Sequence, residues 1–135
     1  MNRIKYDWLS VFAALLLLQA CSAINPVSKA ETTEQRAYAT YGTFVIFEEK
    51  AAELVDSGVL SDDVALAIIE ADERAKGVAD SLLDATWEFI RIRNQLAAGE
   101  TTQEQLDIAV ANLDAWINRA VPLINGLGTA VEGAN

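Results

Sequence analysis

One long amphipathic stripe constrains the fold of this chain more than any other feature. From position 64 to position 96, residues that are apolar except for Thr86 and Arg93 recur in steps of four or three, the spacing of one face of an α-helix. The stripe consists of Val64, Ile68, Ala71, Ala75, Val78, Leu82, Thr86, Phe89, Arg93 and Leu96. Gly77 lies inside the stripe without changing its phase, so we predict a single helix over 62–98 that has room for a bend at Gly77.

Two clusters of turn residues separate this helix from its neighbours. They are Asp-Ser-Gly at 56–58 and Gly-Glu-Thr-Thr at 99–102. Apolar residues at helical spacing continue on both sides, which predicts further helices over about 33–55 and 103–131.

Residues at the predicted helix ends agree with these limits. Thr32, followed three residues later by Gln35, fits a capping box at the start of the first helix. Thr101 or Thr102 can begin the third helix in the same way. Near the end of that helix we expect Pro122 to introduce a kink, because proline cannot donate the helical hydrogen bond. We also expect fraying at three glycines, Gly126, Gly128 and Gly133.

Three amphipathic helices joined by short turns predict an all-α fold, an antiparallel up-down-up three-helix bundle. The middle helix carries Leu83, Trp87 and Ile90 beside its stripe, so it is apolar over an arc wide enough to contact two neighbours. A parallel coiled-coil oligomer is the alternative that this spacing leaves open. The two short turns favour the intramolecular bundle.

The first thirty residues do not belong to this bundle. Arg3 and Lys5 precede a run of eleven residues, WLSVFAALLLL, in which Ser10 is the only polar residue. A membrane-spanning helix needs about 20 apolar residues, whereas a secretory signal peptide needs only a basic start and a short apolar stretch. We therefore predict a signal peptide over 1–20, a tether over 21–31 and the helical bundle over 32–135.

The residues after the apolar run, Leu18-Gln19-Ala20-Cys21, resemble the lipobox of bacterial lipoproteins, with Gln19 a mild departure from the usual small residue. The resemblance implies cleavage before Cys21 and fatty acyl chains, such as palmitate, on that cysteine. The other interpretation is a cysteine that merely follows a signal peptide.

Ser22 is not the aspartate that resembles an inner-membrane retention signal. In a Gram-negative cell this implies the inner leaflet of the outer membrane, facing the periplasm. The body resembles small helical lipoproteins of bacteria and phages only in a general way.

The composition argues against several classes of function. The chain has 20 acidic and 10 basic residues, which disfavours nucleic acid as a partner. It has no histidine, which removes the commonest metal ligand and general base. The only cysteine is Cys21, whose predicted role is lipidation. We therefore predict a protein that is not an enzyme, with no metal and no cofactor apart from the covalent lipid.

The middle helix also offers charged pairs at a spacing of four residues. Glu70 with Arg74 and Asp72 with Lys76 can pair on its surface. Trp87 stands four residues before Arg91, a spacing that permits a cation–π contact.

Two groups of side chains are candidates for a partner or ligand face, although both also fit a helical core. One is the aromatic series Tyr38, Tyr41, Phe44 and Phe47 of the first helix, and the other is the shoulder Leu83, Trp87 and Ile90. The leading hypothesis is a membrane-anchored, non-enzymatic protein-interaction or structural factor that binds an envelope protein. The alternatives are a bundle that binds a small ligand or lipid and an inhibitory, exclusion-type lipoprotein.

Overall fold

The computed structural model describes residues 32–134, which form three α-helices. These are α1 (Thr33–Asp56), α2 (Asp62–Ala97) and α3 (Gln103–Gly133). Each helix packs against the other two, and the interface between α2 and α3 is the most extensive. The predicted all-α antiparallel bundle is thus confirmed, with helix limits within two residues of those predicted. The predicted signal peptide, Cys21 and the tether over 21–31 lie outside the described residues.

The starts of α1 and α3 are capped by threonine hydroxyls, as the sequence predicted. The Thr32 hydroxyl accepts the Gln35 backbone N–H at 3.1 Å, and the Gln35 side-chain oxygen accepts the Thr32 N–H at 3.1 Å, which completes the capping box. At α3 the residue before the helix is Thr102, whose hydroxyl accepts the Gln105 N–H at 3.3 Å. The choice between Thr101 and Thr102 is thereby decided.

The end of α2 is closed by a glycine in the left-handed conformation. Gly99 has φ +74°, a value that residues with a Cβ rarely adopt. Its N–H donates to the Leu96 carbonyl at 3.0 Å, and the Glu100 N–H donates to the Gln95 carbonyl at 2.8 Å. These two bonds make a Schellman motif, which satisfies carbonyls at the helix end and turns the chain towards α3.

The core lies along the axis where all three helices meet. Its buried apolar residues are Ala37, Phe44 and Ala51 of α1; Ile68, Ala75, Ala79, Leu82, Ala85, Phe89 and Ile92 of α2; and Ala109, Leu113, Ile117, Ala120, Ile124, Leu127 and Val131 of α3. Many of them are alanines, which allow the helix backbones to approach closely. Two threonines, Thr40 and Thr86, are also buried, and each hydroxyl donates to the carbonyl four residues earlier at 2.7 Å. Their burial therefore leaves no hydroxyl without a partner.

The predicted fraying of α3 is wrong, because its last turns pack against the rest of the bundle. The helix continues through Pro122 to Gly133, and Leu127 and Val131 near its end are at most 1% exposed. Gly128 also packs closely, since a Cβ built on it would lie 2.6 Å from a carbon of the Phe47 ring. The absence of a side chain at Gly128 thus makes room for an aromatic ring of α1.

None of the three described helices is both long and apolar enough to span a membrane.

We predict opposite effects from alanine at two glycines of α3. Gly128→Ala should lower the free energy of unfolding by about 1–3 kcal/mol, because the new methyl group overlaps the Phe47 ring. Gly126→Ala is the control: a Cβ there meets nothing within 4 Å, so better helix propensity should raise stability by about 0.5–1 kcal/mol. Urea unfolding followed by circular dichroism measures both. Equal stabilisation by the two variants would contradict the contact between Phe47 and α3.

Candidate functional site

Two ion pairs define how α1 and α2 lie side by side. Glu34 pairs with Arg93 near one end of the interface, and Glu48 pairs with Lys76 at 3.3 Å near the other. Tyr41 lies seven residues from each of these glutamates, so it occupies the same side of α1. The two pairs thus fix which residues of the antiparallel helices are level with one another.

The shoulder residues of α2 lie on the same interface. Leu83 and Ile90 follow Lys76 at steps of seven residues, so they face α1 as Lys76 does. Trp87 lies between them on the outer side of α2. The Glu34–Arg93 pair marks one common level on the two antiparallel helices. At 1.5 Å per residue, Trp87 lies about 9 Å from this level along α2, and Tyr38 lies about 6 Å from it in the same direction along α1. The two aromatic residues are therefore at nearly the same height in the bundle.

The two candidate groups thus combine in part into one surface. We call Tyr38, Tyr41, Leu83, Trp87 and Ile90 the α1–α2 face. Trp87 is 59% exposed and Tyr38 is 49% exposed, whereas the other three side chains are half-buried between them. The face thus has two exposed aromatic rims and an apolar floor.

Phe44 and Phe47 do not belong to this face. Phe44 is only 2% exposed and lies in the core, where its ring is 6.1 Å from that of Tyr41. Phe47 points towards α3 and packs on Gly128. The expectation that all four aromatic residues of α1 could form one partner face is wrong, because α2 and α3 cover different sides of α1.

The charged residues around the face pair differently from the sequence-based prediction. Lys76 pairs across the interface with Glu48 rather than with Asp72, and this hydrogen bond raises the pKa of Lys76. Arg91 donates two hydrogen bonds to the Glu88 carboxylate instead of stacking on Trp87. Only Glu70 with Arg74 forms as predicted, at 4.0 Å.

The cation–π contacts within residues 32–134 also lie elsewhere. Arg93 lies over the Phe89 ring at 5.5 Å, and Arg119 lies over the Trp116 ring at 5.0 Å. No arginine of residues 32–134 therefore covers the indole of Trp87, which is exposed in this part of the chain.

Asp72 lies beside the face with an incompletely hydrogen-bonded carboxylate. Its Oδ1 atom is buried without a hydrogen-bond partner among residues 32–134. Burial raises the pKa of the Asp72 carboxyl, and the nearby Glu48 carboxylate raises it further, whereas Lys76 lowers it. Residues 32–134 contain no group of three acidic or sulfur side chains that could hold a metal ion, so this carboxylate has no assembled metal site around it.

A second concave surface lies on the other side of α2, against α3. This groove encloses about 400 Å³ and is lined by Glu88, Arg91, Ile92, Gln105, Ile108, Ala109 and Asn112. Its walls mix charged, amide and aliphatic groups.

The groove and several exposed apolar residues were not predicted from the sequence. Among these residues are Ile46, Leu66, Ile69 and Ile108, which are 40–63% exposed. These four lie outside the apolar stripes of their helices, and that position was the signal that could have identified them.

We predict that Asp72→Asn stabilises the bundle at neutral pH. Because the pKa of Asp72 is raised in the folded state, ionisation opposes folding once the pH exceeds the ordinary value of 3.8. A neutral amide avoids that cost, so the melting temperature should be higher than that of the wild type at pH 7, with the difference vanishing below pH 3.8. Glu100→Gln removes the same charge from an exposed turn and is the control. A melting-temperature difference for Asp72→Asn that does not change with pH would contradict this account.

Comparison of the chain with protein-family models, curated proteins and solved structures gives no match.

Proposed function

We propose that the protein is a lipid-anchored, non-enzymatic interaction factor of the bacterial cell envelope that binds a protein partner through the α1–α2 face. The observation that carries this proposal is the exposure of Trp87 and Tyr38 on one surface. Tryptophan and tyrosine are enriched among the residues that dominate binding energy at protein interfaces. Leu18-Gln19-Ala20-Cys21 supports the anchor.

The bundle does not require these two aromatic side chains for its own packing. Its core is already filled, with Leu82, Leu113, Ile117 and Leu127 fully buried. Large aromatic groups left in water beside a filled core carry a cost that a partner would remove. The half-buried Tyr41, Leu83 and Ile90 would extend the contact between the two rims.

The anchor would also limit where the partner can be. Ten residues lie between Cys21 and Thr32, so the eleven Cα–Cα steps from one to the other reach at most about 40 Å. Tyr38 lies six residues further on, about 9 Å along α1. The α1–α2 face would therefore lie within about 50 Å of the bilayer, so the partner is an envelope protein at or near the membrane surface.

The ligand-binding alternative has less support. It would need an apolar gap between helices, whereas the groove between α2 and α3 is lined partly by Glu88, Arg91 and Asn112. Neither Tyr38 nor Trp87 lines this groove. An inhibitory, exclusion-type lipoprotein remains a form of the proposed function, because it would also act by binding a protein.

We predict that Cys21→Ser abolishes lipidation and leaves an unprocessed precursor. The cysteine sulfur is the atom that receives the lipid in the family that the motif resembles. Intact-mass spectrometry of protein purified from membranes should show the acyl mass on the wild type and the full 135-residue chain for the variant. A wild-type protein without added lipid would contradict the anchor but not the docking face.

We predict that the α1–α2 face contacts one partner in cells. A photo-crosslinking p-benzoylphenylalanine at position 87 keeps an aromatic group there and should give a single discrete adduct. The same residue at position 118, an exposed site on α3, is the control and should give none. Adding Tyr38→Ser should reduce the adduct from position 87 about tenfold, the loss expected for a dominant interface residue. Equal adducts from both positions, or only adducts between two copies of this chain, would contradict the proposal.

A further inference from the structure

The first turns of α2 extend beyond the end of α1. The Glu48–Lys76 pair sets the level of the two helices, so Asp56 at the end of α1 is level with about residue 68 of α2. The residues before that level project about 9 Å further. Between 62 and 70, Ile68 is the only buried residue. The rest of residues 32–134 therefore leaves most of the surface of this end of α2 uncovered.

Apolar side chains in and next to this projecting part lie in water. Leu66 is 55% exposed and Ile69 is 40% exposed, and at a spacing of three residues they lie side by side on the outer face of α2. Asp62 is one turn before them and Glu73 is one turn after them on the same face. We call these four residues the α2 tip. Val59, which is 84% exposed, lies in the adjoining turn.

The charge around the α2 tip is predominantly negative. Residues 51–73 contain seven acidic residues and no lysine or arginine, and residues 120–134 of α3 add Glu132 and no basic residue. The nearest cations along α2 are engaged: Arg74 with Glu70 and Lys76 with Glu48. Another copy of this tip, or an anionic lipid surface, would be repelled.

We infer that the α2 tip binds a basic amphipathic segment of a protein partner. Apolar side chains of that segment cover Leu66 and Ile69, and its lysines or arginines pair with Asp62 and Glu73, one turn to either side. The negative charge of the tip raises the association rate, and burial of the two aliphatic side chains stabilises the complex. This inference names a partner class and rests on the proposed role as an interaction protein, but it concerns a surface separate from the α1–α2 face.

A designed peptide tests the inference on the full-length protein. The probe is a dye-labelled 18-residue amphipathic helix of leucine and lysine, titrated in neutral detergent and followed by fluorescence anisotropy, with empty micelles as the blank. Wild-type protein should bind it saturably at one peptide per chain, with affinity that falls as salt is raised. The Leu66→Ser/Ile69→Ser variant should bind about tenfold more weakly or worse. A matched peptide of leucine and glutamate should not bind.

Two control variants separate the tip from the rest of the acidic surface. Ile46→Ser/Ile108→Ser removes two equally exposed isoleucines elsewhere and should bind as the wild type does. Asp62→Asn/Glu73→Gln should weaken binding and flatten its salt dependence, whereas Glu100→Gln/Asp107→Asn at the other end should not. Thermal melts verify that each variant is folded.

Three results would overturn the inference. They are equal binding by the tip variant and the wild type, equal losses in the tip and control variants, and a sedimentation result in which the tip mediates dimers. None of these measurements involves Cys21, Tyr38 or Trp87. Failure here would therefore leave the lipid anchor and the α1–α2 face untouched, and failure of those would leave the tip untouched.

Discussion

The bundle depends on α2 burying two sides at once. A helix between two neighbours must be apolar over a wide arc, and α2 meets this need with small residues where the contact is closest. Ala75, Ala79 and Leu82 are all completely buried. Because alanine lets helix backbones approach, α1 and α3 can both pack against α2 along its length.

What remains after that burial determines the surfaces available for function. Along the α1–α2 interface the rims are aromatic and exposed, at Tyr38 and Trp87, and ion pairs close the interface above and below them. Near the end of α1, Leu66 and Ile69 are exposed on the outer face of α2. The first surface therefore flanks the interface between two helices, and the second lies on the side of α2 that faces away from the core. The first offers aromatic contact area, and the second offers an apolar pair between carboxylates.

Local signals predicted the helices well because their causes are local. The capping box at Thr32 and the left-handed glycine at Gly99 depend only on residues a few positions away. The stripe of α2 was less accurate about the core. It included Arg93, which instead pairs with Glu34 at the surface, and it left out Ala85 and Ile92, which are buried. A period of 3.6 residues specifies that a face exists, but the position of the neighbouring helices decides its exact centre and width.

Three helices and their limits could be predicted from the sequence, because hydrophobic period, caps and turn glycines act over a few residues. Which side of α1 meets α2 and which meets α3 depends on tertiary packing. That arrangement covers Phe47 with α3 and leaves Tyr38 and Trp87 exposed at the surface. It also decided that α2 projects past α1, since the relative level of two helices follows from long-range pairs such as Glu48 with Lys76. Residues so far apart in the chain carry no local pattern that could have predicted their meeting.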